Sequence, residues 1–164
     1  MGVEIERKFL VSHIPDNLDN YKCRLIEQGY LNTNPVVRVR KDNEDYYLTY
    51  KGKGKMNREE YNLPLNAEAY AHLIKKADGN IITKKRYEIP DGKGYTIELD
   101  LFLGDFSGVV LAEVEFPNIE ECNSYTLPDW FIKDVTNEKA YHNSRMSVMT
   151  KEDIEALIKD SHVN

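Results

Sequence analysis

Ionisable side chains recur two residues apart along a series of short segments. In EIERKFLV, Glu4, Glu6 and Lys8 lie on one parity, and Ile5, Phe9 and Val11 on the other. Arg38 and Arg40 alternate with Val37 and Val39, Glu98 and Asp100 with Ile97, Leu99 and Leu101, and Glu113 and Glu115 with Ala112, Val114 and Phe116. Lys84, Arg86 and Glu88 share a parity, as do Lys51 and Lys53 with Thr49, and Arg58 with Glu60. A strand turns successive side chains to opposite faces, so each set lines one face. A sheet with one face in water gives the same alternation. Such faces, however, are usually mixed in Thr, Ser, Gln and Lys, whereas most of these pairs carry a single sign. Like charges on one face repel, and something must offset them. Clustered carboxylates offer the oxygen ligands that Mg²⁺ or Mn²⁺ takes. Arg and Lys clusters suit phosphate oxygens, Arg bidentately and Lys as a point charge. Both signs on one surface point to a metal–polyphosphate complex.

The elements that would carry these residues are short strands broken by turn residues. They are read at 4–11, 23–31, 36–41, 46–51, 58–65, 80–90, 95–102 and 109–116. Asn66 caps a helix over AEAYAHLIKKA, closed by Asp78-Gly79. The turns at 42–45, 52–55 and 91–94 are rich in Gly, Asn and Asp. NIEECNSY reads as a helix and LPDWF as a loop, while helical character returns over about 134–160, where Thr150 caps KEDIEALIKD. The expectation is a single α+β domain spanning 1–164. Its eight antiparallel strands close into a barrel, which removes the sheet edges. Such a barrel is wide enough for one small ligand, with charge inside and the apolar parity outside under the helices.

The 164 residues suffice for one core. The net charge of −6 lacks the footprint of a general nucleic-acid binder, and no apolar run reaches membrane-spanning length. The two cysteines, Cys23 and Cys122, have no zinc-site spacing. The chain begins directly in a strand, with no room for a targeting segment, so reduced thiols and a cytoplasmic location are expected. The histidines His13, His72, His142 and His162 are scattered and read as surface residues.

EIERKFLV carries an ExExK signature that resembles the CYTH superfamily, the triphosphate tunnel metalloenzymes. The similarity continues in order through QGYL, RVR, YLTYKGKG, REEY, KKRY, IELD, AEVEF and DVTNEKAYHN. The resemblance implies an eight-stranded tunnel that binds a triphosphate and divalent metal, Mg²⁺ or Mn²⁺, with two ions expected per site. It implies metal ligation by Glu4, Glu6, Glu113 and Glu115. It assigns catalytic roles to Lys8, Arg38, Arg40 and Tyr30, and substrate binding to Lys8, Arg38, Arg40, Lys51, Arg58, Lys84, Arg86 and Lys139. Glu60, Glu98 and Asp100 become tunnel acids of less defined role, and Tyr141 and Asn143 lie near a tunnel mouth. Tyr30 would orient the attacking water or the end phosphate; a packed core tyrosine is the alternative. Many relatives carry an acid where Asn62 stands, which puts one metal contact in doubt.

The implied activity is metal-dependent hydrolysis of a triphosphate, foremost inorganic tripolyphosphate to pyrophosphate and phosphate. The alternatives are a class IV-type adenylate cyclase, a thiamine or nucleoside triphosphatase (Trp130 and Phe131 being available to a ring), and a non-catalytic polyphosphate-binding module. The partner is a small-molecule triphosphate, with no nucleic acid or membrane, and a homodimer is an allowed assembly.

Overall fold

The structure, a computed structural model, describes residues 2–53, 57–161 and 163; His162 and part of the turn expected at 52–55 lie outside them. The chain runs β1 (Gly2–Val11), β2 (Lys22–Thr33), β3 (Val36–Asp42), β4 (Asp45–Lys51), β5 (Asn57–Leu65), α1 (Ala67–Ile74), β6 (Asp78–Pro90), β7 (Thr96–Phe102) and β8 (Val110–Glu115). It ends with α2 (Ile119–Asn123), β9 (Phe131–Asp134), α3 (Asn143–Met146) and α4 (Lys151–Ser161). The strand order β5-β4-β3-β2-β6-β7-β8-β1 is antiparallel throughout, and β1 pairs back onto β5, closing an eight-stranded barrel. No described helix is long and apolar enough to cross a membrane.

Closure along β1 is shared. Gly2–Ile5 pair with β5, whereas Phe9–Val11 pair with β9. Between them, Lys8 donates its backbone N–H to Thr136 Oγ1 (2.9 Å) and its carbonyl accepts from Val135 N–H (2.8 Å). This seam is why the loop expected over LPDWF ends in a strand at Phe131 and why Asp134, expected to open a helical segment, belongs to that strand: the second half of β1 has an open row of backbone groups that β9 satisfies.

The apolar parity packs outward as expected on one side. Ile5, Phe9, Val11, Leu99, Val114 and Phe131 form a core beneath α2 and the loop bearing Trp130. The inward parity is not charged throughout. Leu10, Tyr30, Val36, Ile82, Phe102 and Leu111 point inward, and with Phe106, Met146, Ile154 and Leu157 they form an apolar plug at one end. The C-terminal helices seal this plug, leaving the charged residues the remainder of the lumen.

Asn66 Oδ1 accepts from Ala69 N–H (2.8 Å) and caps α1, which ends at Ile74 rather than Ala77. Asp78-Gly79 does not close the helix but opens β6. Gly79, at φ +70°, lets the chain pass against Ser147, whose carbonyl accepts from Asn80 N–H at 2.6 Å. The Asn80 side chain also donates to the carbonyls of Met146 and Met149, each at 3.0 Å. The turn residue thus docks α3 on the barrel.

Candidate active site: a tunnel lined with both signs of charge

The strand register stacks the charges. Glu6 faces Glu115 and Lys8 faces Glu113 across β1–β8; Glu98 faces Glu113 across β7–β8; Arg86 faces Asp100 across β6–β7. All of these except Asp100 line a cavity of about 320 Å³ together with Glu4, Tyr30, Arg38, Arg40, Lys51, Arg58, Glu60 and Lys84. The sequence placed these residues on inward faces, and the fold brings them together. Lys139 is the exception: it is exposed and lines a neighbouring groove, as does Lys53. Asp100 is fully buried behind the cavity wall.

Three carboxylates, Glu4, Glu6 and Glu115, place oxygens within 4.8 Å of one another. Burial, then repulsion from Glu113 and Glu4, holds the Glu6 carboxyl well above its ordinary range. Withdrawal from bulk water, then the fields of Glu98 and Glu4, pushes Glu115 up to about 7. Burial works against ionised Glu4, but Lys51, at 2.8 and 2.9 Å from its two oxygens, keeps it below the usual range. This all-oxygen donor set with excess negative charge fits a hard divalent cation. No second such group occurs among the described residues. Glu113 stands apart from the trio. It is 3.4 Å from both Lys8 and Arg86, which outweigh its burial and hold it well below the usual carboxylate range.

The cationic wall is braced from behind. Arg86 makes a bidentate pair with Asp100 (2.7 and 2.8 Å). Lys84 Nζ lies 2.7 Å from Asp100 and 2.8 Å from Asn143 Oδ1. Its burial, only partly offset by Asp100, brings it down to about 7. Arg40 donates to Gln28 Oε1 (2.7 Å), and Gln28 donates on to Asn143 Oδ1 (2.8 Å). Arg38 donates to Thr49 Oγ1 (3.1 Å), which in turn donates to Asn62 Oδ1 (2.6 Å). Among the described residues, the Nε atoms of Arg38 and Arg58 are buried without a hydrogen-bond partner, so the wall holds unused donors.

Several lining groups were not singled out from the sequence. Arg24 bonds Asp42 and reaches Glu98 at 3.2 Å; Arg24 and Gln28 share the parity of Tyr30, which was the available signal. Thr136, His142 and Ser144 come from a segment of short turns with no periodicity to read, and Asn143, expected near a tunnel mouth, lines the cavity beside them. His142, expected at the surface, is partly buried. Its Nε2 lies 2.8 Å from the Thr136 carbonyl, and burial and Lys8 lower its pKa.

The architecture is a closed antiparallel β-barrel whose lumen presents carboxylates on one wall and guanidinium and ammonium groups on the other. The chain belongs to the CYTH domain family, whose model matches residues 2–151. It is 34% identical over 150 residues to an inorganic triphosphatase of Nitrosomonas europaea, covering 88% of this chain and 97% of that one. It is 39% identical over 155 residues to an inorganic triphosphatase of Acetivibrio thermocellus, covering 89% and 94%. The crystal structure of an inorganic triphosphatase superposes with a TM-score of 0.68 at 31% identity, over 92% of this chain and 97% of that one. A protein from Hippeastrum, described as a putative adenylyl cyclase with dominant triphosphatase activity, shares the fold at 16% identity and a TM-score of 0.54, over 75% and 83%.

Proposed function

We propose that this chain hydrolyses a triphosphate, inorganic tripolyphosphate foremost, to pyrophosphate and phosphate with the help of Mg²⁺ or Mn²⁺. The observation that carries this reading is the meeting, in one small tunnel, of a carboxylate trio and a wall of cations with unused donors. The relatives named inorganic triphosphatase at 34% and 39% identity agree with it.

Glu4, Glu6 and Glu115 hold the cation, which when bound neutralises phosphate charge and lowers the pKa of water. Arg38, Arg40, Lys84 and Arg86 grip the phosphate oxygens, the three guanidinium groups fixing orientation by their planar forks. Lys8 stabilises charge on the transferred group; Tyr141's carbonyl, accepting from its Nζ at 2.9 Å, sets its position. Lys51, which bonds both Glu4 oxygens at 2.8 and 2.9 Å, would be free to meet phosphate oxygens where Glu4 holds a cation. Tyr30, packed in the apolar plug at the border of the cavity, would orient the attacking water from there. The water oxygen bonds to the terminal phosphorus as the bond to the pyrophosphate oxygen breaks, with no serine or cysteine nucleophile. Phosphoryl transfer asks mainly for this positioning and charge stabilisation.

The experiment is phosphate release from tripolyphosphate, ATP and thiamine triphosphate, side by side, with Mg²⁺, Mn²⁺ or EDTA. Fast release from tripolyphosphate that EDTA abolishes is expected. Glu6→Ala and Lys8→Ala should each lower turnover by about 100-fold or more. Unchanged turnover in both variants removes the assignment, and cyclic AMP from ATP turns the reading to a cyclase.

A further inference from the structure

The tunnel lining contains a guanidinium that the hydrolysis described above leaves unused. Arg24, on β2, lines the cavity and sits directly opposite Arg86 on β6. Like charges on directly paired residues repel, and here one oxygen offsets both. Glu98 Oε2 accepts from Arg24 Nη2 at 3.2 Å and from Arg86 Nη1 at 3.4 Å. Arg24 Nη1 donates to Asp42 Oδ2, and the same Asp42 oxygen accepts from the Tyr47 hydroxyl at 3.1 Å. Tyr47 in turn accepts from Arg40 Nη1 at 3.5 Å. The remaining nitrogen, Arg24 Nε, faces Glu88 at 3.7 Å. One side chain thus stands between Arg40 and Arg86, joined to the first through Asp42 and Tyr47 and to the second through Glu98.

We propose that Arg24 is a positioning residue: it holds Arg40 and Arg86, two of the guanidinium groups that grip the triphosphate, in a fixed relation to each other. The proposal rests on the reading of the tunnel as a triphosphate site and names a further residue on which that site depends. All three guanidinium nitrogens of Arg24 face carboxylates, so its charge is spent on the protein rather than on phosphate. Its planar fork lets one side chain hold Asp42 and Glu98 at once, which the point charge of a lysine cannot do. Asp42 makes the link matter. It is buried, and a buried carboxylate that loses its cation is costly. Among the described side chains, an Asp42 without Arg24 keeps only the Tyr47 hydroxyl. Arg40, which lies beyond that hydroxyl, is then drawn towards the uncompensated charge. Glu98 meanwhile loses one of its two guanidinium partners, and Arg86 carries it alone. A phosphate chain that spans Arg40 and Arg86 would meet them at the wrong separation.

The test compares the wild type with Arg24→Met, Arg24→Lys, Tyr47→Phe and the double variant Arg24→Met/Tyr47→Phe. Each is measured for kcat and KM on tripolyphosphate with Mn²⁺, for tripolyphosphate affinity in EDTA by calorimetry, and for Tm. Misplacing a group by about 1 Å can cost about 100-fold. Arg24→Met should weaken the affinity in EDTA and raise KM, each by about 10-fold or more, with kcat falling less. Arg24→Lys keeps the charge and should not restore either. Tyr47→Phe removes one hydroxyl while Arg24 and Asp42 stay paired, so KM should rise by a smaller factor. The double variant should resemble Arg24→Met, because both changes act along one path. Full rescue by lysine overturns the proposal, since charge rather than the fork would then be what counts. So do single-variant factors that multiply in the double variant. So does a lower Tm with KM and affinity unchanged, which would leave Arg24 a structural ion pair. If Arg24→Met does not fold, wild-type KM and affinity in both Arg24→Lys and Tyr47→Phe overturn the proposal. Absence of tripolyphosphate hydrolysis in the wild type would instead strike the underlying functional reading, and the affinities in EDTA would still decide the role of Arg24.

Discussion

Lys84 shows how far burial can move a residue that lines the tunnel. Its ammonium is almost wholly buried, touching Asp100 and Asn143 and facing the Phe102 ring at 5.2 Å. Burial favours the neutral amine, and the opposing field of Asp100 leaves the pKa at about 7. Phosphate oxygens favour the charged form, so binding a triphosphate raises this pKa. A proton is therefore taken up on binding above pH 7, and the uptake shrinks as pH falls below 7, where the free protein already carries it. Calorimetry with a non-hydrolysable triphosphate, in buffers of different ionisation enthalpy, counts the proton. Lys84→Arg should remove most of the uptake at pH 8; an unchanged proton count assigns it elsewhere. Glu115, pushed up to about 7, obeys the opposite logic. A carboxyl that must be ionised to bind a cation competes with protons below its pKa. Apparent Mn²⁺ affinity should fall as pH drops below 7, the Glu115 proton contributing up to about tenfold per pH unit and the Glu6 proton adding to the slope. In Glu115→Gln the affinity should be weaker and this part of the slope lost.

At the scale of elements, a period of two tells which side of a strand is inside, and the alternating charges of β1, β3, β6, β7 and β8 could be read directly. It does not tell how far along the barrel axis a residue sits. Leu10, Ile82, Phe102 and Leu111 have the same parity as the charged residues yet form the apolar plug, because they lie where the C-terminal helices dock. Gln28 escaped a reading based on charge, and β9 is created by a distant edge of β1 rather than by its own pattern. The docking itself depends on Gly79. A Cβ there would lie 1.9 Å from the Ser147 carbonyl oxygen, in a backbone conformation that L residues rarely adopt. Gly79→Ala should cost at least about 2 kcal/mol and lower Tm by about 4–8 °C. Gly92 has a similar φ of +82° and nothing within 4 Å of the added Cβ, so Gly92→Ala should cost only about 1 kcal/mol. Because α3 carries Asn143 onto Lys84 and Gln28, Gly79→Ala should also slow turnover at temperatures where both variants are folded. Equal thermal shifts in the two would mean that the Ser147 contact relaxes freely.

For the whole molecule, the barrel is a frame that holds repelling groups together. Glu6 opposite Glu115, and Glu98 opposite Glu113, are like charges on directly paired residues, an arrangement unfavourable to a sheet. Arg38, with Arg40 beside it, is lowered by burial and then by its neighbour's charge. A cation relieves the first strain and a phosphate chain the second, and each ligand also neutralises the other. Metal and triphosphate should therefore bind with positive coupling, and linkage requires the same factor in both directions. Ligands that bind only the folded state raise stability by RT ln(1 + [L]/Kd), about 2.7 kcal/mol at 100-fold excess over Kd. That corresponds to roughly 5–10 °C in Tm for a chain of this size. Mn²⁺ alone and a non-hydrolysable triphosphate alone should each raise Tm, and the two together by more than the sum. In Glu6→Gln one carboxylate of the trio is gone, so the metal shift and the excess should shrink together while the shift from triphosphate alone persists or grows. Strictly additive shifts in the wild type would mean that the two ligands occupy the tunnel without sensing each other.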